Sequence, residues 1–306
     1  MYLHVFDWPA DGRLILAGLG NRATRAYLLA EPSVEVGVIR QESDLHFTLP
    51  PDPPDKICSV VVLEVEGRPI VYEPPTIEAA SSILVRPLRV ELKTGSAALI
   101  LRYTLDGTVP TGRSPAYLEP LTISSTTVVR ARAFHNGKPV SGISEATFTR
   151  VEPAPAERVG GLVQGVTIET YHGDWSMLPD FGSMKPDSSA TVANFQLRRG
   201  PRMEYIAHRY SAYLAVPRDD AYVFSLTSDD GSRLLIGDKV VVNNDGLHGV
   251  EEQRGTVALA AGTHRITVEW FNKTGGAELD VMFAPVAQPL ARIADSSLFV
   301  AEKSVR

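Results

Sequence analysis

Short apolar runs, each closed by turn residues, constrain the fold of this chain more than any other feature of the sequence. Examples are SVVVLEVEG (59–67), TVVRARAF (127–134) and HRITVEWF (264–271). Alternating residues place their side chains on opposite faces of a strand, and many short strands separated by turns are typical of sandwiches and barrels. Helical periodicity is nearly absent. We therefore predict an all-β fold.

Two proline-rich stretches divide the chain. EPPTIEA (73–79) follows one apolar run and precedes a new pattern, and RVEPAPAERVGG (150–161) has the composition of a semi-rigid linker. A chain of 306 residues is also long for one domain. We predict three consecutive β-sandwich or barrel-like domains. They comprise residues 1–73, 74–150 and 159–306, with residues 151–158 as a linker between the second and the third.

Charge and cysteine content exclude several classes of function. The formal net charge is −6 and the pI is about 5.7, and no cluster of Lys and Arg suggests a nucleic-acid partner. A single cysteine, Cys58, allows neither an internal disulfide nor a cysteine-rich zinc site. No apolar stretch approaches the ~20 residues that span a bilayer, so we expect no membrane partner. The N-terminus lacks the pattern of a secretory signal.

The first predicted domain carries the segments HVFDWP (4–9), AYLLA (26–30) and VVVLEVEG (60–67). Together they resemble the small C-terminal β-sandwich that follows the catalytic barrel in bacterial α-L-fucosidases. A (β/α)₈ barrel needs roughly 250 residues of alternating strands and helices, which this chain does not contain. The resemblance implies that a catalytic barrel precedes residue 1 or acts in trans, and we predict no catalytic residue in the chain.

The second predicted domain contains YTLDGTVPTGRSPAYLEP (103–120). This segment resembles the immunoglobulin-like module found C-terminal in chitobiases and β-N-acetylhexosaminidases. Asp106 and Gly107 predict a tight turn with positive φ, after a strand that ends at Thr104. We interpret the module as a spacer.

The third predicted domain contains two adjacent acidic residues, Asp229 and Asp230, at the end of an apolar run. Neighbouring carboxylates repel each other, so the pair needs a cation, a set of hydrogen-bond donors or full solvation. The surrounding segments YVFSLTSDDGSRLLI (222–236), NDGLHG (244–249) and VEWFN (268–272) are similar to the PA14 domain over nearly its full length.

The PA14 resemblance implies a calcium-dependent sugar site. In the sugar-binding members, adjacent Asp residues hold Ca²⁺, often through a cis peptide, and an Asn of a second loop completes the site. On matching positions the metal ligands are Asp229, Asp230 and Asn272, and the carbohydrate-binding residues are these three with Lys273. An alternative is that the pair only organises its loop through backbone N–H bonds. We expect His248 to cap its loop, and Trp175 and Trp270 to belong to the core.

These resemblances predict the accessory, non-catalytic region of an α-L-fucosidase-like glycoside hydrolase. Its PA14 domain would bind a glycan, fucosylated or related, or shape access to the active site. From such relatives we expect a secreted or periplasmic location. Two alternatives stay open at this point, a stand-alone carbohydrate-binding or adhesion protein and a set of purely structural domains.

Overall fold

The computed structural model describes residues 1–197 and 203–302 and is all-β, as predicted. The described residues form 25 strands and two short 3₁₀ helices, at Phe181–Ser183 and Asp295–Ser297. The chain divides into two compact units. The first comprises Met1–Ser82 with Leu88–Thr149, and the second comprises Ile83–Pro87 with the chain from Arg150 onward. No helix among the described residues has the length and apolar character that crossing a membrane requires.

The first unit contains twelve of the strands, all in antiparallel pairs where they form ladders. They are β1 (Tyr2–Val5), β2 (Arg13–Leu16), β3 (Ala23–Leu28), β4 (Gly37–Gln41), β5 (Asp44–Thr48), β6 (Ser59–Val65), β7 (Thr76–Ala79), β9 (Leu88–Lys93), β10 (Ile100–Thr104), β11 (Leu121–Ile123), β12 (Thr127–His135) and β13 (Lys138–Arg150), whereas β8 (Ile83–Leu84) falls in the second unit. Their neighbour orders are β1-β6-β3, β2-β5-β4, β11-β9-β7 and β10-β12-β13.

The second unit contains the remaining strands in two larger sheets. They are β14 (Leu162–Gln164), β15 (Val166–His172), β16 (Ser188–Val192), β17 (Ile206–Val216), β18 (Asp220–Asp229), β19 (Ser232–Ile236), β20 (Lys239–Asn244), β21 (Glu251–Leu259), β22 (Gly262–Asn272), β23 (Glu278–Pro285), β24 (Ala291–Arg292) and β25 (Leu298–Ala301). One sheet has the order β14-β25-β17-β22-β19-β20, with β15 on β17 and β16 on β15. The other has the order β21-β18-β23-β24.

Each unit has its own apolar core, supplied by the inward side of alternating strands. In the first unit Val61 and Leu63 of β6 pack with Phe47 of β5, and all three are almost fully buried. In the second unit β17 and β18 contribute the fully buried Tyr210 and Phe224. The turn predicted after Thr104 is confirmed, since β10 ends there and Gly107 has a φ of 76°.

The segment predicted as a linker is hydrogen-bonded to strands of the second unit. Ala154 donates to the Ala258 carbonyl at 2.9 Å and accepts from Ala260, while Glu157 donates to Thr263 at 2.8 Å. These bonds hold residues 154 and 157 beside β21 and β22. The division of residues 1–150 into two separate domains stays a prediction, because the structure groups most of them in one unit.

Arg132 connects distant parts of the first unit. Its side chain is 6% exposed, and its Nε donates to the Ser141 carbonyl at 2.9 Å. Its Nη2 donates to the Ser43 hydroxyl at 2.5 Å, and its Nη1 lies 3.3 Å from the Glu42 carboxylate. A buried guanidinium needs such partners, because an unpaired charge is costly away from water. Strand β12 is thereby fixed to the hairpin between β4 and β5.

Replacing Arg132 with Met should destabilise the first unit by about 2–4 kcal/mol, because it leaves buried acceptors without donors. The matched control is Arg130→Met on the same strand, which removes a partly exposed ion pair with Glu145 and should cost less than about 1 kcal/mol. Urea unfolding of both variants measures the difference. Equal losses in the two variants would show that Arg132 does not hold the unit together.

Candidate functional site

The Asp229–Asp230 pair lies where the chain passes from one sheet of the second unit to the other. Strand β18 ends at Asp229 and pairs with β21 and β23, whereas β19 begins at Ser232 and pairs with β22 of the other sheet. The peptide bond between Asp229 and Asp230 is cis. The crossover therefore places both acidic residues at the edge of the two sheets.

A buried polar cluster supports this crossover from behind. The hydroxyl groups of Ser228 and Ser232 lie 2.6 Å apart, and the Asn244 amide donates to the Ser228 oxygen at 3.0 Å. All three side chains are almost fully buried. Because each one is hydrogen-bonded, the cluster fixes the two ends of the acidic loop without an unsatisfied group among these contacts.

Asp230 joins two further loops to the crossover. Its Oδ2 accepts the backbone N–H of Lys273 at 2.9 Å, and its Oδ1 accepts that of His248 at 3.2 Å. The residue is 7% exposed. One carboxylate thus ties together the loop after β18, the loop before β21 and the loop after β22. This is the loop-organising role that the sequence left open, and it leaves further lone pairs on both oxygens.

Asp229 has a different environment. Its backbone carbonyl accepts the indole N–H of Trp270 at 3.1 Å, but in the part of the chain that the structure describes no donor contacts its carboxylate. Burial, together with the charge of Asp230, raises the pKa of the Asp229 carboxyl. The pair therefore concentrates negative charge, and the described hydrogen bonds do not offset the charge of the Asp229 carboxylate.

Asn272 has a buried side-chain oxygen and stands between two residues that bond to the acidic loop. The residue is fully buried, and its Nδ2 donates to the Met203 carbonyl at 2.5 Å, while its Oδ1 has no hydrogen-bond partner among the described residues. Both of its chain neighbours bond to the acidic loop, since Phe271 donates to Gly231 and Lys273 donates to Asp230. A buried acceptor without a donor is unusual in a folded protein.

Two glycines allow neighbouring loops to pack closely around the acidic loop. A Cβ on Gly276 would overlap Oδ2 of Asp229, and a Cβ on Gly231 would lie 2.7 Å from the Gly246 nitrogen. The loop after β22 therefore lies so close to the Asp229 carboxylate that a side chain at position 276 would displace this carboxylate.

These residues fit a hard cation. The oxygens of Asp229, Asp230 and Asn272 are the kind of ligand that Ca²⁺ prefers. No group of three or more His, Cys, Asp or Glu side chains suited to a metal occurs among the residues the structure describes, so the fit depends on the amide oxygen of Asn272 as the third ligand. The three predicted ligands and Lys273 are brought to one corner of the domain, but whether they hold calcium or sugar stays a prediction.

His248 caps its loop, as one reading of the sequence expects. Its two ring nitrogens face the carbonyl oxygens of Asn244 and Gly249, at 2.9 and 2.7 Å. Burial lowers the pKa of His248, but these two hydrogen bonds outweigh it, and the pKa is raised overall. Trp270 is fully buried, and Trp175 packs partly buried beside Tyr171 and Phe181.

Two acidic residues near the site were not found from the sequence. The Asp174 carboxylate lies 2.8 Å from the ammonium group of Lys273. Asp245 accepts the backbone N–H of Leu178 at 2.8 Å and so fixes the loop that carries Asp174. Asp174 lies outside the quoted segments, and although Asp245 lies within NDGLHG, its contact with Leu178 joins positions 67 residues apart.

Known proteins show similarity in the same two regions. Residues 162–286 match the family model of the PA14 domain, and residues 80–145 match that of the chitobiase/beta-hexosaminidase C-terminal domain. A beta-hexosaminidase of Porphyromonas gingivalis is 26% identical over 195 residues, which cover 60% of this chain and 24% of that protein. The match thus spans about a quarter of the curated relative. The fucosidase resemblance of residues 1–70 stays a prediction.

Solved structures with similarity include the PA14 domain of MpAFP antifreeze protein, at 14% identity and a TM-score of 0.42, covering 48% of this chain and 96% of that one. The PA14 sugar-binding domain from RTX adhesin has 14% identity and a TM-score of 0.39, with coverages of 44% and 98%. Epithelial Adhesin 9 A domain of Candida glabrata, solved with Galb1-4GlcNAc, has 13% identity and a TM-score of 0.39, with coverages of 50% and 98%.

The two family matches fall in separate parts of the chain, and each agrees with the resemblance found from the sequence motifs. The chain is thus similar to the chitobiase/beta-hexosaminidase C-terminal domain over residues 80–145 and to the PA14 domain over residues 162–286, and it shares a distant similarity with a beta-hexosaminidase.

Proposed function

We propose that this chain is the non-catalytic accessory part of a glycoside hydrolase, and that its PA14 domain binds a glycan through Ca²⁺ held by Asp229, Asp230 and Asn272. The observation that carries the proposal is the pair of oxygen groups without donors. The buried Oδ1 of Asn272 has no partner among the described residues, and no described donor contacts the carboxylate of Asp229. A cation would satisfy both.

The residues at this site have different roles in the proposed binding of Ca²⁺. Asp230 holds three loops together, Asp229 and Asn272 supply oxygens, and Gly276 lets the loop after β22 lie against the Asp229 carboxylate. Bound Ca²⁺ supplies positive charge and open coordination positions, which the neighbouring hydroxyl groups of a sugar can fill.

Attachment to a catalyst explains why a weak binding module is useful. Tethering keeps the enzyme near its substrate and raises the effective concentration without any new contact in the active site. The distant beta-hexosaminidase relative and the predicted fucosidase-like first domain both favour an enzyme that acts on glycans, fucosylated ones included. A secreted or periplasmic location would give access to them. Appreciable hydrolase activity from this chain alone would contradict an accessory role.

Calcium should raise the melting temperature of the second unit, and Asp229→Asn should abolish this shift. A ligand at about 100 times its dissociation constant stabilises a fold by about 2.7 kcal/mol, which corresponds to several degrees. Asp229 is a better target for mutation than Asp230, because its carboxylate forms no described hydrogen bond to a neighbouring loop. The control is Asp238→Asn, whose side chain is 95% exposed and pairs with Arg265.

Differential scanning calorimetry with calcium and with chelator measures these shifts, and a glycan array with calcium tests the sugar. The absence of a calcium shift in the wild type would leave the pair as a loop organiser and favour purely structural domains. A calcium shift without glycan binding would contradict the glycan half of the proposal.

Gly276→Ala should weaken calcium binding at least tenfold with little effect on the calcium-free protein, because its methyl group would displace the Asp229 carboxylate. Gly249→Ala is the matched control, since a Cβ there meets nothing within 4 Å. Isothermal titration with CaCl₂ gives both affinities. If the two variants bind calcium equally, the Asp229 carboxylate does not contact the cation.

Asp229 should also make stability depend on pH in metal-free buffer. Because its pKa is raised in the folded state, its contribution to stability is fully present at low pH and is lost as pH rises through the folded pKa. Asp229→Asn should therefore be more stable than the wild type at pH 7, and this advantage should shrink in acid. Urea unfolding between pH 4 and about pH 7 checks the sign. An unchanged difference would contradict the raised pKa.

A further inference from the structure

We propose that Asp174 makes this site select neutral over acidic glycans, by occupying the ammonium group of Lys273. The inference rests on the proposed function, because it names the chemical class of glycan that the same site takes. Its basis is the ion pair between Asp174 and Lys273 and the charges that surround it.

Lys273 stands beside the acidic pair and is already engaged. Its backbone N–H donates to Asp230, and its ammonium group lies 2.8 Å from Asp174 Oδ1. The side chain of Lys273 is 32% exposed and that of Asp174 is 64% exposed, so the ion pair lies at the solvent-facing side of the site. A hydrogen bond and the charge of Asp174 raise the pKa of Lys273.

The backbone holds Asp174 in this position independently of the ion pair. Gly173 donates to the Tyr205 carbonyl at 3.0 Å, and Tyr205 in turn donates to the Lys273 carbonyl at 2.9 Å. The following residue, Trp175, packs on the small cluster formed by Tyr171, Phe181 and their neighbours. Two backbone hydrogen bonds and the packing of Trp175 therefore hold Asp174 near Lys273. The ion pair alone would hold it only weakly, because exposed ion pairs contribute little.

The remaining charges near the pair are mostly negative. The carboxylates that act on Asp229, His248 or Lys273 through their charge are those of Asp174, Asp230, Glu251 and Glu278, and the bases of this group are Lys273 and His248. Glu278 lies directly across the sheet from Asp229. Both ring nitrogens of His248 are hydrogen-bonded to carbonyl oxygens of its own loop.

Among the described residues, these carboxylates and that of Asp229 together outnumber the positive charges even after the two charges of a calcium ion are added. Within the described part of the chain, no cation of this neighbourhood is left free to receive a carboxylate or a sulfate. A neutral sugar meets no such repulsion, and its hydroxyl groups can both donate and accept. A glycan with an acidic group next to the bound sugar is repelled, as expected for like charges in a partly screened site.

The test uses the full chain, calcium and a glycan array that carries neutral oligosaccharides together with the sialylated and sulfated form of each. We expect the wild type to bind the neutral member of each matched pair more tightly. Asp174→Asn should raise the ratio of acidic to neutral binding about fivefold, because it frees Lys273 and removes one negative charge. Adding Lys273→Met to this variant should cancel the gain.

Asp187→Asn is the matched control. It removes a negative charge and an ion pair with His172 from the same loop, but Asp187 does not contact Lys273. Its ratio should equal that of the wild type. An unchanged ratio in Asp174→Asn, or a wild type that prefers the acidic members, would overturn the role of Asp174 alone. If the wild type binds no glycan with calcium present, the proposed function fails and the selectivity fails with it.

Discussion

The mutual repulsion of two adjacent carboxylates is the constraint that shapes the second unit where the chain passes from one sheet to the other. Asp229 and Asp230 lie where the chain leaves one sheet for the other, so neither can move without disturbing both sheets. The negative charge of Asp230 is offset by two backbone N–H donors from separate loops. Asp229 has no such donor in the described structure. The asymmetry means that the carboxylate of Asp230 ties the loops together, while the carboxylate of Asp229 contacts no donor among the described residues.

The first unit follows a different principle. Its sheets are small, and an isolated domain of about 70 residues has little core to stabilise it. The buried guanidinium of Arg132 fixes strand β12 to the hairpin around Ser43, which lies 89 residues earlier. Polar contacts of this kind specify which surfaces meet, while the apolar cores on either side supply most of the stability.

Local patterns made part of this structure predictable. The alternation in TVVRARAF and the Asp106–Gly107 turn are properties of a few consecutive residues, and both appear in the structure as expected. The grouping of Asp230 with Lys273 was also accessible, because the motifs that contain them resemble one family. Arg132 was not predictable, since a single arginine in a strand gives no sign that it will be buried. Asp174 was missed because its role depends on a backbone contact between Gly173 and Tyr205, and no sequence period encodes that contact.

Gly276 has a consequence for how PA14 copies can be recognised from sequence. A single methyl group at this position would overlap the Asp229 carboxylate, although every acidic residue and the amide of Asn272 would be unchanged. Under the proposed function, the Asp–Asp pair is therefore only half of a cation-binding signature. Copies that keep the pair but carry a larger residue at the equivalent of Gly276 should form a separate class, in which the same corner of the fold persists as scaffold.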